Sequence, residues 1–594
     1  MGAKPRPSRQ TRFIITVADI EQADRIIENS GVLDQLAQWR DEDKGKKSKL
    51  NTGGRPAVFD DRIVLVLFIL LTILHRPLHF TEAANLLNCY GKDSKIMKAL
   101  GLPTEWMLRK RGKSYSTQKE FENVHKRLHA AYKRLVAPMD PYPEIKNNRR
   151  ADLLDYYEIV KQRDPELVAT RRARINEFAS RLAVASAMEI REEAISTYQG
   201  DVSVDGTEIK ACRIGNPREN HPRAHLLKAS SHPDAGWYRP KDDHKGNGGP
   251  DQNWAYEATL AVAVPSNPGP YGIPTLICGL AIELPGHAPG LNAQRAVRYA
   301  LDTFLLNKRG FMIGDRAYFA VARPENFHRP MREMGFKVIG DYKENNRGKQ
   351  AEFHGAIMVD GDWYGPCMPQ RLIDASALRR EGKISEQEYD KLIAQRETYR
   401  LRPKCKKNKA VSYICPARGA SPTVSCPLVE GSSDARPDLL TVLPSPAVRR
   451  APGKICTNGC SLTIPDAEGE RFRQDELVFG SREHRRIYAL CRNAIESTNA
   501  HMKTMEGENA GCAIGSTSNR PVRGYASTAV MIALGAVSSN LGKISAYHNR
   551  IELDQIDGTD PFDPRFDPLS DESVSDFSSG DGDDFLQNSD QEVA

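Results

Sequence analysis

The chain has 594 residues, 40% hydrophobic, 27% charged and 7% aromatic, with a mean hydropathy of −0.54. At roughly 150 residues per domain this length predicts about four folding units, and the composition is that of a globular protein with only local disorder. The longest apolar run, residues 63–74, is shorter than the roughly 20 residues of a bilayer-spanning helix, and the basic N-terminus leads into no apolar signal region. A cytoplasmic protein with no membrane partner is expected.

The net charge of +7 conceals an asymmetry: residues 551–594 hold 14 acidic residues against Arg565 alone, a balance of −13 that leaves +20 on residues 1–550. That excess suits a polyanionic partner, nucleic acid being the commonest, or serves solubility alone. The tail from Glu552 is too poor in apolar residues to offset chain entropy and is expected to be disordered. It either competes with DNA for the basic core or only solubilises.

In chain order, residues 1–50 are a basic leader and a helical segment over 20–39. Residues 51–150 read as all-helical, with a turn at Gly53-Gly54-Arg55-Pro56, a buried helix over 59–74 and further helices over 82–87 and 120–135. Residues 1–150 hold 28 Lys and Arg against 17 Asp and Glu, which fits a DNA-binding domain, although no helix-turn-helix signature stands out. Pro138, Pro141 and Pro143 mark a break, after which 151–195 should be mostly helical. Short strands follow at 202–204, 254–264 and 273–282, then a helix over 292–306 and strands at 311–314 and 336–340. This order describes an α/β fold: a mixed sheet with flanking helices. The catalytic core is expected over 151–344 and 479–550, interrupted by a Cys-, Pro- and Lys-rich insertion at 345–478. Helices are expected over 483–503 and 528–541, before the acidic tail at 551–594.

Three carboxylates stand where chemistry is usually sited. Asp205 ends the first strand in Ser203-Val204-Asp205-Gly206-Thr207, Asp315 ends the fourth in Gly314-Asp315-Arg316-Ala317-Tyr318, and Glu496 lies on the late helix. Converging acidic oxygens suit Mg²⁺ or Mn²⁺, and two such ions support phosphodiester chemistry. Each acid alone is equally an ordinary turn or surface residue. At 3.6 residues per turn, Tyr488, Arg492, Glu496 and Lys503 fall within about 80° on one helix face roughly 22 Å long, where Arg492 and Lys503 would meet phosphates.

On these motifs the chain resembles DDE-type insertion-sequence transposases, in the branch with a Tyr-Arg-Glu-Lys signature. The resemblance spans roughly residues 50–545. It implies an RNase H-like fold, catalytic and Mg²⁺-binding roles for Asp205, Asp315 and Glu496, and DNA contacts from Tyr488, Arg492 and Lys503. Also implied are cleavage at element ends, joining of the 3′-OH to target DNA, recognition of terminal inverted repeats, and a homodimer on paired ends, associated with the nucleoid. Three residues separate Tyr488 from Arg492 where the family has two, which turns Tyr488 by about 100°. Residues 231–235 leading to 252–256 resemble the family's linker, and Gly54-Arg55-Pro56 resembles its N-terminal domain. Two other outcomes stay open: a catalytically inactive DNA-binding regulator, and an RNase H-like nuclease without strand transfer.

Other side chains compete or add. Asp201, Asp341 and Glu208 are alternative acids. Cys415, Cys426, Cys456 and Cys460 supply four thiolates for a structural Zn²⁺, with Cys405 as the alternative ligand and free buried thiols as the other reading. His221, His225, His232 and His244 read as loop or DNA-contact residues. Trp237, Tyr238 and Trp254 suit stacking on unpaired bases, with core packing favoured for Trp254. Lys404, Lys406, Lys407, Lys409, Arg449 and Arg450 give the insertion a basic surface.

Overall fold

The computed structural model describes residues 14–45, 57–91, 93–102, 117–144, 151–212, 215–238, 253–265, 272–407, 409–429, 438–459, 461–503 and 522–556. The turn at 53–56, His244, Cys460 and the acidic tail past Ile556 lie outside the described residues.

The first helical segment is two helices, Val17–Ser30 and Val32–Gly45. Thr16 and Asp19 form a reciprocal capping box at its start, and Gly31, at φ +63°, ends the first helix in the left-handed region. The apolar run forms the helix Asp61–Ile73, in which every residue from Ile63 to Thr72 is buried. A helix apolar on all sides needs neighbours all round. Here they are Val17–Ser30, Phe80–Tyr90, Thr117–Val136 and the C-terminal helix Tyr525–Ile556, and their side chains join one face of the sheet in a single core.

The sheet has six strands: β1 (Val202–Cys212), β2 (Gly236–Tyr238), β3 (Asn253–Ala263), β4 (Leu276–Glu283), β5 (Phe311–Gly314) and β6 (Lys337–Gly340). β3 lies antiparallel to β1 on one edge and to β4 and β2 on the other, while β5 adds parallel to β1 and β6 parallel to β5. The sheet is therefore mixed, with helices on both faces. Alternate residues divide between them: Ile209, Ala211, Leu260 and Val262 enter the helical core above. Val202, Val204, Ala261 and Ala263 meet the helix Pro289–Val297 on the other side. That helix packs so closely that a Cβ on Gly279 would stand 1.8 Å from the Ala296 carbonyl oxygen. It is shorter than the expected 292–306, giving way to 3₁₀ turns at Arg298–Ala300 and Phe304–Leu306.

Among the described residues one helix, Tyr525–Ile556, is long and apolar enough to cross a bilayer, but 72% of its apolar window is buried in the fold. Asn540 on it accepts from the Ile277 N–H (2.8 Å) and donates to the carbonyls of Ile277 (2.9 Å) and Ala183 (3.1 Å). It thus ties β4 to the helix Pro165–Ala187. This is a core helix, and it runs past the expected boundary at 550.

The insertion folds around its own core. It holds two three-stranded antiparallel sheets, β7 (Lys349–Phe353), β8 (Ala356–Val359) and β9 (Asp362–Tyr364), then β10 (Arg402–Lys407), β11 (Ala410–Ile414) and β12 (Leu462–Pro465). Arg396 and Asp360, each 1% exposed, form a 2.7 Å ion pair inside it. Its return segment is pinned to β6. Asp475 accepts from the Val338 N–H on Oδ2 (2.9 Å), and Gln474 both accepts from and donates to the Gly340 backbone (3.1 and 3.0 Å). The helix Arg482–Lys503 starts shortly afterwards, so the strand edge beside β5 fixes where it begins.

Candidate active site

β1, β5 and β6 run parallel in register, with Val204 opposite Gly314 and Gly314 opposite Gly340. The next residue on each is acidic: Asp205, Asp315 and Asp341. They stand side by side at the carboxyl ends of the parallel strands, where open α/β sheets bind ligands. Asp205 does not end its strand as expected; β1 continues to Cys212 paired with β3 alone, Asp205 lying opposite Leu260. It marks the point where β1 outruns β5. Asp315 does end β5, and its Oδ1 accepts from the N–H groups of Ala317 (2.7 Å) and Tyr318 (3.3 Å), which fixes the carboxylate at the start of a helical turn.

The helix Arg482–Lys503 buries His484, Ile487, Cys491, Ile495, Thr498 and Met502, a stripe at intervals of three and four that seats it on the sheet. Arg492, Glu496, Asn499 and Lys503 flank that stripe. Arg492 bridges two of the acids, with Nη2 2.5 Å from Glu496 Oε1 and Nη1 3.6 Å from Asp205 Oδ1. Asn499 donates to Asp205 Oδ2 at 2.9 Å. Sequence reasoning missed Asn499, although it sits two turns from Arg492 on the same face. Lys503 is half-buried at the helix end; burial lowers its pKa, against the pull of Glu208 and Asp205. Tyr488 stacks its ring on His484, the planes 3° apart, and burial, with Asp341 next, raises its hydroxyl pKa.

Asp205, with a side chain 15% exposed, has its pKa raised to about 6. Burial is the main cause; Arg492 opposes it, and the charges of Asp315 and Glu496 add to it. Asp205 therefore lies within the field of both other expected carboxylates, with Arg492 as the cation beside it. Carboxylate oxygens in surplus over positive charge fit a hard divalent ion. Among the described residues no three His, Cys, Asp or Glu side chains are already closed on a metal-sized point. Here Arg492 holds Glu496, which is 56% exposed.

The competing acids have other duties. Asp201 is buried, its Oδ1 accepting from the Phe311 N–H (2.6 Å) where β5 starts. Asp341 is paired with Arg316 (2.8 Å) and Arg347 (3.2 Å). Glu208 lies opposite Glu257 across β1 and β3, and the hydroxyl pKa of half-buried Tyr238 is raised by burial and then by Glu208, Glu257, Asp205 and Asp315. The acidic field thus reaches along β1.

Of the histidines, His232 lies in a loop as expected, but it is buried, its ring against Tyr256 and its carbonyl accepting from Trp254 Nε1 (2.7 Å). The linker around it is anchored through the Asp234–Arg163 ion pair (2.8 Å). His221 and His225 are exposed. Trp254 is in the core, with Trp237, 40% exposed, edge-on to it. Lys404, Lys406 and Lys409 are exposed, and Arg449 and Arg450 donate to the Pro444 and Pro446 carbonyls. Cys415, Cys426 and Cys456 lie together around a cavity in the insertion, whereas Cys405 is exposed on β10.

Compared with known proteins, the chain matches no protein-family model and shows no significant match to a curated protein or a solved structure.

Proposed function

We propose that this chain is a metal-dependent DNA transposase of the DDE type, built on an RNase H-like core. The reading rests above all on one juxtaposition: Asp205 and Asp315 follow the paired residues Val204 and Gly314, under a helix carrying Arg492, Glu496 and Asn499. The antiparallel trio β4, β3 and β1, extended by parallel β5 and β6, is the strand order such a core needs.

Asp205, Asp315 and Glu496 would hold Mg²⁺ or Mn²⁺, which when bound activate a water and neutralise charge on the phosphodiester. The protein's own part is positioning. Asn499 fixes the Asp205 carboxylate, and the backbone amides after Asp315 fix the second acid. Arg492 offsets part of the charge of Asp205 and Glu496 in the free protein and turns to a phosphate when DNA enters, releasing Glu496. Lys503 and Tyr488 extend the same face along the backbone of the element end. Water attacks the phosphodiester at each terminal inverted repeat and breaks its P–O3′ bond, and the freed 3′-hydroxyl then attacks a target phosphodiester and displaces the target strand's own 3′-oxygen, which leaves as a hydroxyl. The partners are DNA and a second copy of the chain on the paired ends, in the nucleoid of the cytoplasm.

The test is a Mg²⁺-dependent cleavage and joining assay on DNA carrying the inverted repeats that flank the gene. Wild type is compared with Asp205→Asn, Asp315→Asn and Glu496→Gln. Loss of both steps in all three, with end binding retained, is the expected result. End binding without cleavage in wild type would favour the inactive regulator, and cleavage without joining the nuclease.

A further inference from the structure

We propose that Cys367, Cys415, Cys426 and Cys456 bind one Zn²⁺ as a four-thiolate structural site that clamps the insertion. The four come from separate segments. Cys367 follows β9, Cys415 follows β11, Cys426 lies in the loop where Ser425 bridges Thr441, and Cys456 sits on the short helix Lys454–Thr457. All four line one cavity of about 20 Å³, room for a single water-sized body. No carboxylate or imidazole shares the lining, so the donor set is soft and suits Zn²⁺ rather than Mg²⁺ or Ca²⁺.

The walls are prepared for anionic sulfur. Cys415 and Cys426 each open a turn of the same form, closed by the Arg418 N–H on the Cys415 carbonyl (2.9 Å) and the Val429 N–H on the Cys426 carbonyl (3.0 Å); burial disfavours both thiolates, and the amides of Ala417 and Leu428 favour them. Each amide is two residues past its Cys, in the matching turns Cys415-Pro416-Ala417 and Cys426-Pro427-Leu428. A hydrogen bond from an amide favours a thiolate over a thiol, and it orients the ligand as supporting partners do at metal sites. The Arg418 charge favours the thiolate form of Cys415, Cys426 and Cys456. Its Nη2 is held on the Cys456 carbonyl at 2.7 Å. The Cys367 and Cys426 thiols are hydrogen-bonded to each other, and burial pushes Cys456 up to about 12. Four sulfurs from separate segments thus face one small cavity with no other metal-ligating side chain in its lining. When Zn²⁺ binds, the sulfurs close on it by side-chain rotation and the thiol protons leave to solvent. Cys367 thereby joins Cys415, Cys426 and Cys456, three of the four cysteines expected from spacing; the fourth, Cys460, lies outside the described residues.

The experiment uses the full-length chain, expressed with zinc and freed of loose metal. Metal content is measured directly, and Co²⁺ replacement is followed by its absorption. One Zn²⁺ per chain and the spectrum of tetrahedral thiolate-bound Co²⁺ are expected. Cys367→Ser should bind zinc at least about tenfold more weakly, since even supporting residues of metal sites cost that much; Cys405→Ser should bind as wild type does. If Cys367→Ser fails to fold, alkylation of wild type serves instead: a chelator should expose these four cysteines together. Wild type without zinc and without the Co²⁺ spectrum, zinc undiminished in Cys367→Ser, or a Cys367–Cys426 disulfide by mass would each overturn the proposal. None of these readouts depends on DNA cleavage.

Discussion

Asp205→Asn should make the metal-free protein more stable at neutral pH, because the charge it removes is one the fold disfavours. The carboxyl has a pKa of about 6 against an ordinary 3.8. A group whose folded pKa lies above its unfolded one binds its proton more tightly in the folded state, so its contribution is fully present below about pH 4 and lost as pH rises through about 6. Two units at about 1.36 kcal/mol each come to roughly 3 kcal/mol. At about 2 °C per kcal/mol for a large domain, that is a Tm gain of roughly 6 °C at pH 8. The assay is thermal unfolding of both proteins in EDTA from pH 4 to 8. The gap should open between about pH 4 and 6 and stay constant above. Mg²⁺ should then raise the wild-type Tm and leave the variant where it was. A variant equal to or less stable than wild type at pH 8, or a gap independent of pH, would refute the reasoning.

Asn499→Ala removes the hydrogen bond to Asp205 Oδ2; cleavage should fall about tenfold or more, and the Mg²⁺ concentration for half-maximal rate should rise while DNA affinity holds. Arg396→Ala strands a buried Asp360 and should cost about 3–5 kcal/mol, read as new proteolytic sites within residues 345–478 at a temperature where wild type resists.

The parts of the fold with a strong period were legible in the sequence. The apolar run of 63–74, the helix of 483–503 and the strands before and after Asp315 all lie where apolar spacing put them. β1 was cut short because Asp205, Gly206, Glu208 and Lys210 dilute its apolar pattern; pairing with β3 along its whole length overrides that dilution. The short strands of the insertion could not be read for a related reason: β11 has every residue half-buried, so no alternation marks it. At the site, residue context singled out Asp205 and Asp315; the strand register aligns Asp341 with them, and what sets it apart is its pairing with Arg316 and Arg347, as the bond to the Phe311 N–H sets Asp201 apart. Asn499 and Cys367 escaped notice because each acts through contacts distant in sequence, with Asp205 on another element and with cysteines that come much later.

The pinned return of the insertion also bears on the order of folding. Glu496 is separated from Asp315 by 180 residues, and an unstructured loop of that length would have to be closed before the late helix could reach the sheet. Because residues 345–478 carry their own core, they can collapse locally and bring Gln474 back to Gly340 as a short connection. Shrinking the effective loop roughly tenfold lowers its closure entropy by about 2 kcal/mol. On that argument the helix Arg482–Lys503 docks late, onto a sheet edge that the insertion has already reached.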